Sequence, residues 1–114
     1  MVRKMPKETI IKDKNDENND KIITLLQFAQ KAGKLVTGFD KVARSLFKGE
    51  IKLIILSKDL SLNSRQKIVS LNQTVSAPIV VWGKKKDTLQ FSVKETGILA
   101  VTDINFKNGL LKHI

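Results

Sequence analysis

The chain has 114 residues, 21 Lys plus Arg against 11 Asp plus Glu, a formal net charge of +10 and 41% hydrophobic residues. That length fits one domain, and that apolar fraction is too high for a wholly disordered chain. The absence of Cys removes disulfides, thiol nucleophiles and thiolate metal sites, and the single His113 removes most catalytic triads and His-based metal centres.

The charge is uneven. Residues 1–20 hold five basic and five acidic side chains, so the whole excess of +10 lies in residues 21–114. Residues 12–20 contain no apolar side chain and cannot offset their ordering entropy by burial. Residues 1–20 are therefore expected to form a disordered polar arm, and residues 21–114 the single domain. The Met1 end has no apolar signal-peptide core, and no apolar run approaches the roughly 20 residues of a membrane span. A cytoplasmic protein is expected.

Residues 21–31 read as a helix, with Ile22, Leu25, Leu26 and Ala29 on one stripe, Asp20 as N-cap and Gly33 as the stop. Leu35, Val36 and Thr37 read as a short strand. Gly38 opens a second helix with Phe39, Val42, Ala43, Leu46 and Phe47 inward. Residues 51–56 (IKLIIL) read as a strand buried on both faces, followed by a polar turn at Ser57, Lys58 and Asp59. Ser61 caps a helix with Leu62, Ile68 and Leu71 inward. Residues 79–82 form a third strand, residues 87–92 a short helix, and residues 98–102 a fourth strand. Asp103 caps a last helix with Phe106, Leu110, Leu111 and Ile114 on one side. The order α-β-α-β-α-β-α-β-α predicts an α/β fold, a three-layer α/β/α sandwich around a sheet of about four strands.

Sequence support for catalysis is thin. No Gly-rich phosphate loop or dinucleotide fingerprint is present, and Gly83-Lys84-Lys85-Lys86-Asp87-Thr88 reads as a charged turn. Asp40, Asp59 and Asp103 sit at strand-to-helix junctions, where carboxylates serve as caps. Trp82, at the end of an apolar strand, reads as core rather than as a stacking platform. No enzyme activity, cofactor or metal is expected.

The excess charge points to a polyanion, and a membrane surface would need a basic amphipathic helix with spare apolar anchors. None is found outside the core-forming segments, which favours nucleic acid. Residues 32–46 (AGKLVTGFDKVARSL) carry the sharpest signal. A strand ends at Thr37 and a helix starts beside Gly38, where free backbone N–H groups suit a phosphate. The outward face of that helix presents Asp40, Lys41, Arg44 and Lys48.

These residues, with GEIKLIILSKDLS, SAPIVVW and ILAVTD in order, make the chain resemble the kink-turn RNA-binding ribosomal-protein family, the L-seven-Ae and L-thirty-e type. It is most similar to that family's small bacterial YlxQ-like members. The resemblance runs from about Ile22 to the C-terminus and implies the same sandwich, with no catalysis. In the family, the helix after the first strand begins with Gly, a small or variable residue, then Asn-Glu, with Lys further on, and these read guanine edges at tandem sheared G·A pairs in a sharply bent RNA. Gly38 falls at the Gly, Asp40 at the Asn, Lys41 at the Glu and Arg44 at the Lys. Asp40 accepts hydrogen bonds but does not donate them, and Lys41 reverses the charge at its position. The resemblance places Ser57, Lys58 and Asp59 near the RNA, and Lys94, Glu95, Thr96 and Gly97 in a loop that packs on an extruded base.

The resulting expectation is a monomeric, non-enzymatic RNA-binding protein, ribosome-associated and without a membrane. Its RNA-binding residues would be Lys34, Thr37, Gly38, Phe39, Asp40, Lys41, Arg44, Lys58, Asp59, Glu95, Thr96 and Gly97, with Lys34 and Lys58 on flanking phosphates. The alternative is a translation-associated protein-interaction module with only non-specific RNA affinity.

Overall fold

A computed structural model describes residues 10–11 and 16–114. The chain runs β1 (Ile10–Ile11), α1 (Asp16–Lys31), β2 (Leu35–Thr37), α2 (Phe39–Phe47), β3 (Leu53–Leu56), α3 (Leu62–Leu71), β4 (Ile79–Val81), a 3-10 helix (Lys85–Gln90), β5 (Ile98–Val101) and α4 (Ile104–Leu111). The sheet order is β1-β4-β3-β5-β2. β3 pairs parallel with β4 and antiparallel with β5, β2 pairs antiparallel with β5, and β1 pairs parallel with β4.

β3 and β5 are buried at every position. Their side chains alternate between two cores, as period-two geometry requires. Ile54, Leu56, Ile98 and Ala100 meet Val42 and Leu46 of α2 and Ile68 of α3. Leu53, Ile55, Leu99 and Val101 meet Ile22 and Leu26 of α1 and Leu110 of α4. The α/β/α sandwich follows directly. Trp82 is buried in the second core, with its ring 6.4 Å from that of Phe91.

Several boundaries move. Helix α1 starts at Asp16 rather than Lys21. Asn19 in its first turns accepts a 2.8 Å hydrogen bond from the Trp82 indole, a tertiary tie with no counterpart in the apolar stripe. Asp20 is thus inside the helix, where its carbonyl accepts from the Thr24 hydroxyl, and is not the N-cap. Ile10–Ile11 supplies a fifth, edge strand inside the stretch expected to be a disordered arm. The rest of that expectation, residues 1–9 and 12–15, lies outside the described residues. Phe47 and Leu62 do not face inward and are 80% and 68% exposed. Each is an end residue of its helix, where the packed stripe has run out, and α3 buries Val69 instead. The helix expected at 87–92 is a 3-10 turn two residues earlier, held by Asp87 accepting from the Lys84 N–H at 2.8 Å.

Two expected caps are present: Ser61 accepts from the Ser64 N–H, and Asp103 from the N–H groups of Asn105 and Phe106. Asn72 is a buried polar device that the sequence does not advertise. Its amide donates to the Ala77 carbonyl at 2.8 Å and accepts from the Ala77 N–H at 3.0 Å, fixing the connection into β4. Asn72→Ala leaves both backbone groups unpartnered in the interior and should cost about 2–3 kcal/mol. Urea unfolding of the variant checks this, and Gln66→Ala on the exposed side of α3 should be near neutral.

Candidate nucleic-acid interface

β5 runs against the other strands, so its N-terminal end meets the C-terminal ends of β2, β3 and β4. Backbone hydrogen bonds run right across that end of the sheet. The Gly38 N–H donates to the Ile98 carbonyl at 3.0 Å, Ser57 N–H to Gly97 at 2.9 Å, and Lys58 N–H to Gly83 at 2.7 Å. The starts of α2, of the 57–59 turn and of the 83–86 turn are thereby tied to one frame.

Gly38 is the N-cap of α2 at φ 92° and ψ 153°, with no side-chain cap on the helix. The first intrahelical bond runs from the Val42 N–H to the Gly38 carbonyl, so the N–H groups of Phe39, Asp40 and Lys41 are left for an outside acceptor. Gly38 and Lys41, which bracket this turn, line a cleft of about 490 Å³. Thr37, Gly38 and Lys41 form one wall and residues 92–96 the other, with Phe91 and Leu35 beneath. The second wall is pinned to the 3-10 helix, because the Thr96 N–H donates to the Thr88 hydroxyl at 3.0 Å, and that hydroxyl donates to the Lys85 carbonyl at 2.6 Å.

The expected site residues sort into groups. Asp40, Lys41 and Arg44 are exposed on α2, and Lys58, Asp59 and Glu95 are exposed on loops at the same end. Phe39 is half-buried against the first core and anchors the helix start rather than offering itself to a ligand. Thr37 pairs with Leu99. Thr96 and Gly97 shape their loop: the Thr96 hydroxyl donates to the Ile98 carbonyl, and a Cβ on Gly97 would stand 2.5 Å from Leu60 Cδ1. Lys34 does not join the group. Its carbonyl accepts from Thr102, at the opposite end of β2. Four residues of extended chain put it about 13 Å from Gly38 along the strand.

Two features were not anticipated. Lys84, Lys85 and Lys86, read as a mere charged turn, follow β4 at this same end. The Lys85 N–H donates to the Asp59 carboxylate at 2.9 Å. Desolvation pushes that carboxyl up, but the Lys85 N–H, the Ser57 hydroxyl, its own backbone N–H and the Lys85 charge together outweigh it and hold it below its ordinary value. Val93 is 95% exposed on the cleft wall. The signal for it was a lone apolar residue in a polar loop, which periodicity does not register.

This end of the sheet thus carries a cleft with the start of α2 on one wall and an apolar tip on the other, lined by Lys41 and Lys94, with further lysines on the neighbouring turns. That chemistry suits an anionic ligand with flat apolar parts. Residues 20–103 match the model of a family described as ribosomal protein L7Ae/L30e/S12e/Gadd45. The chain belongs to this family. It is 23% identical over 92 residues to a protein of Enterococcus faecium named RNA-binding protein YlxQ, covering 81% of this chain and 89% of that one. It is also similar to a solved structure of a protein of unknown function from Bacillus halodurans C, with a TM-score of 0.74 and 26% identity, covering 81% of this chain and 94% of that one. The L7Ae-type match takes in every expected site residue. Among the described residues no helix is long and apolar enough to cross a membrane, and no cluster of His, Cys, Asp or Glu could hold a metal ion.

Gly38 sits in a backbone region that is open to glycine and strained for other residues, although nothing lies within 4 Å of an added Cβ. Gly38→Ala should therefore destabilise the fold by about 1–3 kcal/mol through backbone strain alone. A denaturation midpoint lowered with an unchanged m-value checks this.

Proposed function

We propose that this protein is a non-enzymatic, cytoplasmic RNA-binding protein, monomeric and ribosome-associated, that recognises a kink-turn-like bent RNA at the N-terminal end of α2. One observation carries the reading. The uncapped first turn of α2 and the apolar tip at Val93 face each other across one cleft lined also by Lys41 and Lys94, with Lys58 and Lys84–Lys86 on turns at the same end of the sheet. Membership of the L7Ae-type family and the RNA-binding name of the Enterococcus faecium relative support RNA as the ligand.

In this reading the phosphates of a bent strand approach the free N–H groups of Phe39, Asp40 and Lys41, where the helix dipole favours negative charge. Asp40 accepts from guanine N–H groups, while Lys41 and Arg44 donate to guanine O6 and N7. Lys58 and the 84–86 lysines neutralise the flanking backbone. Glu95 and Val93 lie on the wall that an extruded base would meet. Lys34 has no part, since it lies at the other end of the sheet. The protein adds no chemistry to the RNA. It shifts a pre-existing population of bent molecules by as much as it prefers them.

The test is a titration against a kink-turn RNA and a matched duplex lacking the G·A pairs, at two salt concentrations. The kinked RNA should bind more tightly. Lys41→Ala with Arg44→Ala should weaken that binding by about tenfold or more. Lys34→Ala with Lys52→Ala, both at the opposite end of the sheet, should leave it almost unchanged. Equal losses from the two pairs would sink the site assignment. Equal binding to both RNAs, governed by salt, would support the alternative of an interaction module with non-specific RNA affinity.

A further inference from the structure

Helix α2 has a second end, and its surface is not that of a purely structural helix. Lys41, Arg44 and Lys48 are all exposed and fall at i, i+3 and i+7, a cationic line about 10 Å long down the outer face. The line ends beside Phe47, which is 80% exposed. Cations in a last helical turn are accounted for by the macrodipole. An aromatic ring left in water at that place is not. Phe47 and Lys48 also form the lip of a groove of about 270 Å³ floored by Leu46, Leu71 and Val75, between α2 and α3. Ala43, Gly49 and Thr74 complete its walls. Lys67 is exposed one turn before Leu71, and Glu50 is the acidic residue nearest in sequence to the lip.

A cationic track leading to an aromatic platform is the arrangement by which proteins hold single-stranded nucleic acid. The charges favour a phosphate-bearing chain, and the groove is of a size for one flat ring with its sugar. We propose that the Phe47 groove is a second RNA subsite that stacks an unpaired base from a single-stranded segment flanking the bent element. The flanking strand leaves the bent element beside Lys41 and Arg44, which keep their guanine edges, and its backbone reaches Lys48 at the lip of the groove. The proposal rests on the reading of α2 given above, and assigns a separate role to its C-terminal end.

The experiment uses the full chain and four probes: kinked RNA with blunt ends, the same RNA with a short single-stranded overhang on either strand, a matched blunt duplex without the kink, and the free single-stranded oligonucleotide. The overhang should tighten binding of the wild-type protein by about tenfold, the scale of one stacked base. Phe47→Ala should abolish that gain while leaving affinity for blunt RNA and the urea midpoint unchanged. Phe47→Trp should retain the gain, and its emission should fall when the overhang binds. No gain in the wild type, or the same gain in Phe47→Ala, overturns the subsite. If blunt kinked RNA binds no better than duplex, the kink-reading proposal fails by itself. The subsite is then decided by the free oligonucleotide: weakened binding by Phe47→Ala upholds it, and unchanged binding overturns it. Phe47→Ala leaving every RNA unaffected overturns the subsite.

Discussion

The antiparallel seating of β5 beside β3 is the constraint on which the rest depends. Had β5 run parallel to its neighbours, its N-terminal loop would have emerged at the far end of the sheet. Instead residues 91–97 arrive where β2, β3 and β4 finish. The two walls of the cleft come from opposite sides of the chain's direction, and the cleft exists only because of that reversal. The pairing is well insulated. Every side chain of both strands is buried, so slipping the register by one residue would exchange the two cores wholesale. The site inherits that rigidity through three backbone hydrogen bonds, from Gly38, Ser57 and Lys58.

Rigidity matters because backbone donors discriminate only when they are fixed in advance. The free N–H groups of α2 cannot rotate to follow a ligand as lysine side chains can. A straight duplex and a sharply bent strand present phosphates and base edges at different separations, and a fixed set of donors matches one of them better. In the proposed complex the lysines would supply attraction and the backbone would supply shape. Phe39 shows how this is arranged: half-buried in the first core, it pins the helix start that Gly38 turns outward.

Much of this was legible in the sequence. Alternating apolar runs such as LIIL and ILAV specify strands covered on both faces, and the 3.6-residue stripe of α2 was visible in Val42 and Leu46. Gly38 after a strand and before that stripe marked the helix start. What the sequence hides is which ends meet. Lys34 and Gly38 are neighbours in the chain but lie at opposite ends of β2, while Lys85 and Asp59, 26 positions apart, are joined by a hydrogen bond. Linear proximity favoured Lys34 and overlooked Lys84–Lys86. Likewise the Asn19–Trp82 bond extends α1 through residues whose composition argued for disorder. An amphipathic stripe also says nothing of where packing stops, so Phe47 and Leu62 counted as core.

The acidic residues at this cationic end complete the argument. Asp40, Asp59, Asp87 and Glu95 all sit among the lysines, and a site built only for attraction would lack them. Two are held by backbone donors: Asp87 by the Lys84 N–H and Asp59 by the Lys85 N–H. The Lys85 N–H is one of the donors that hold the Asp59 carboxyl below its ordinary value. In the proposed complex, the anions held in place at Asp59 and Asp87 would repel any phosphate that lies over them and so disfavour RNA paths across the 57–59 and 84–87 turns. Discrimination is a difference of affinities, and a repulsive element raises it as surely as an attractive one. A uniformly basic surface of the same net charge would bind more RNA and distinguish less of it.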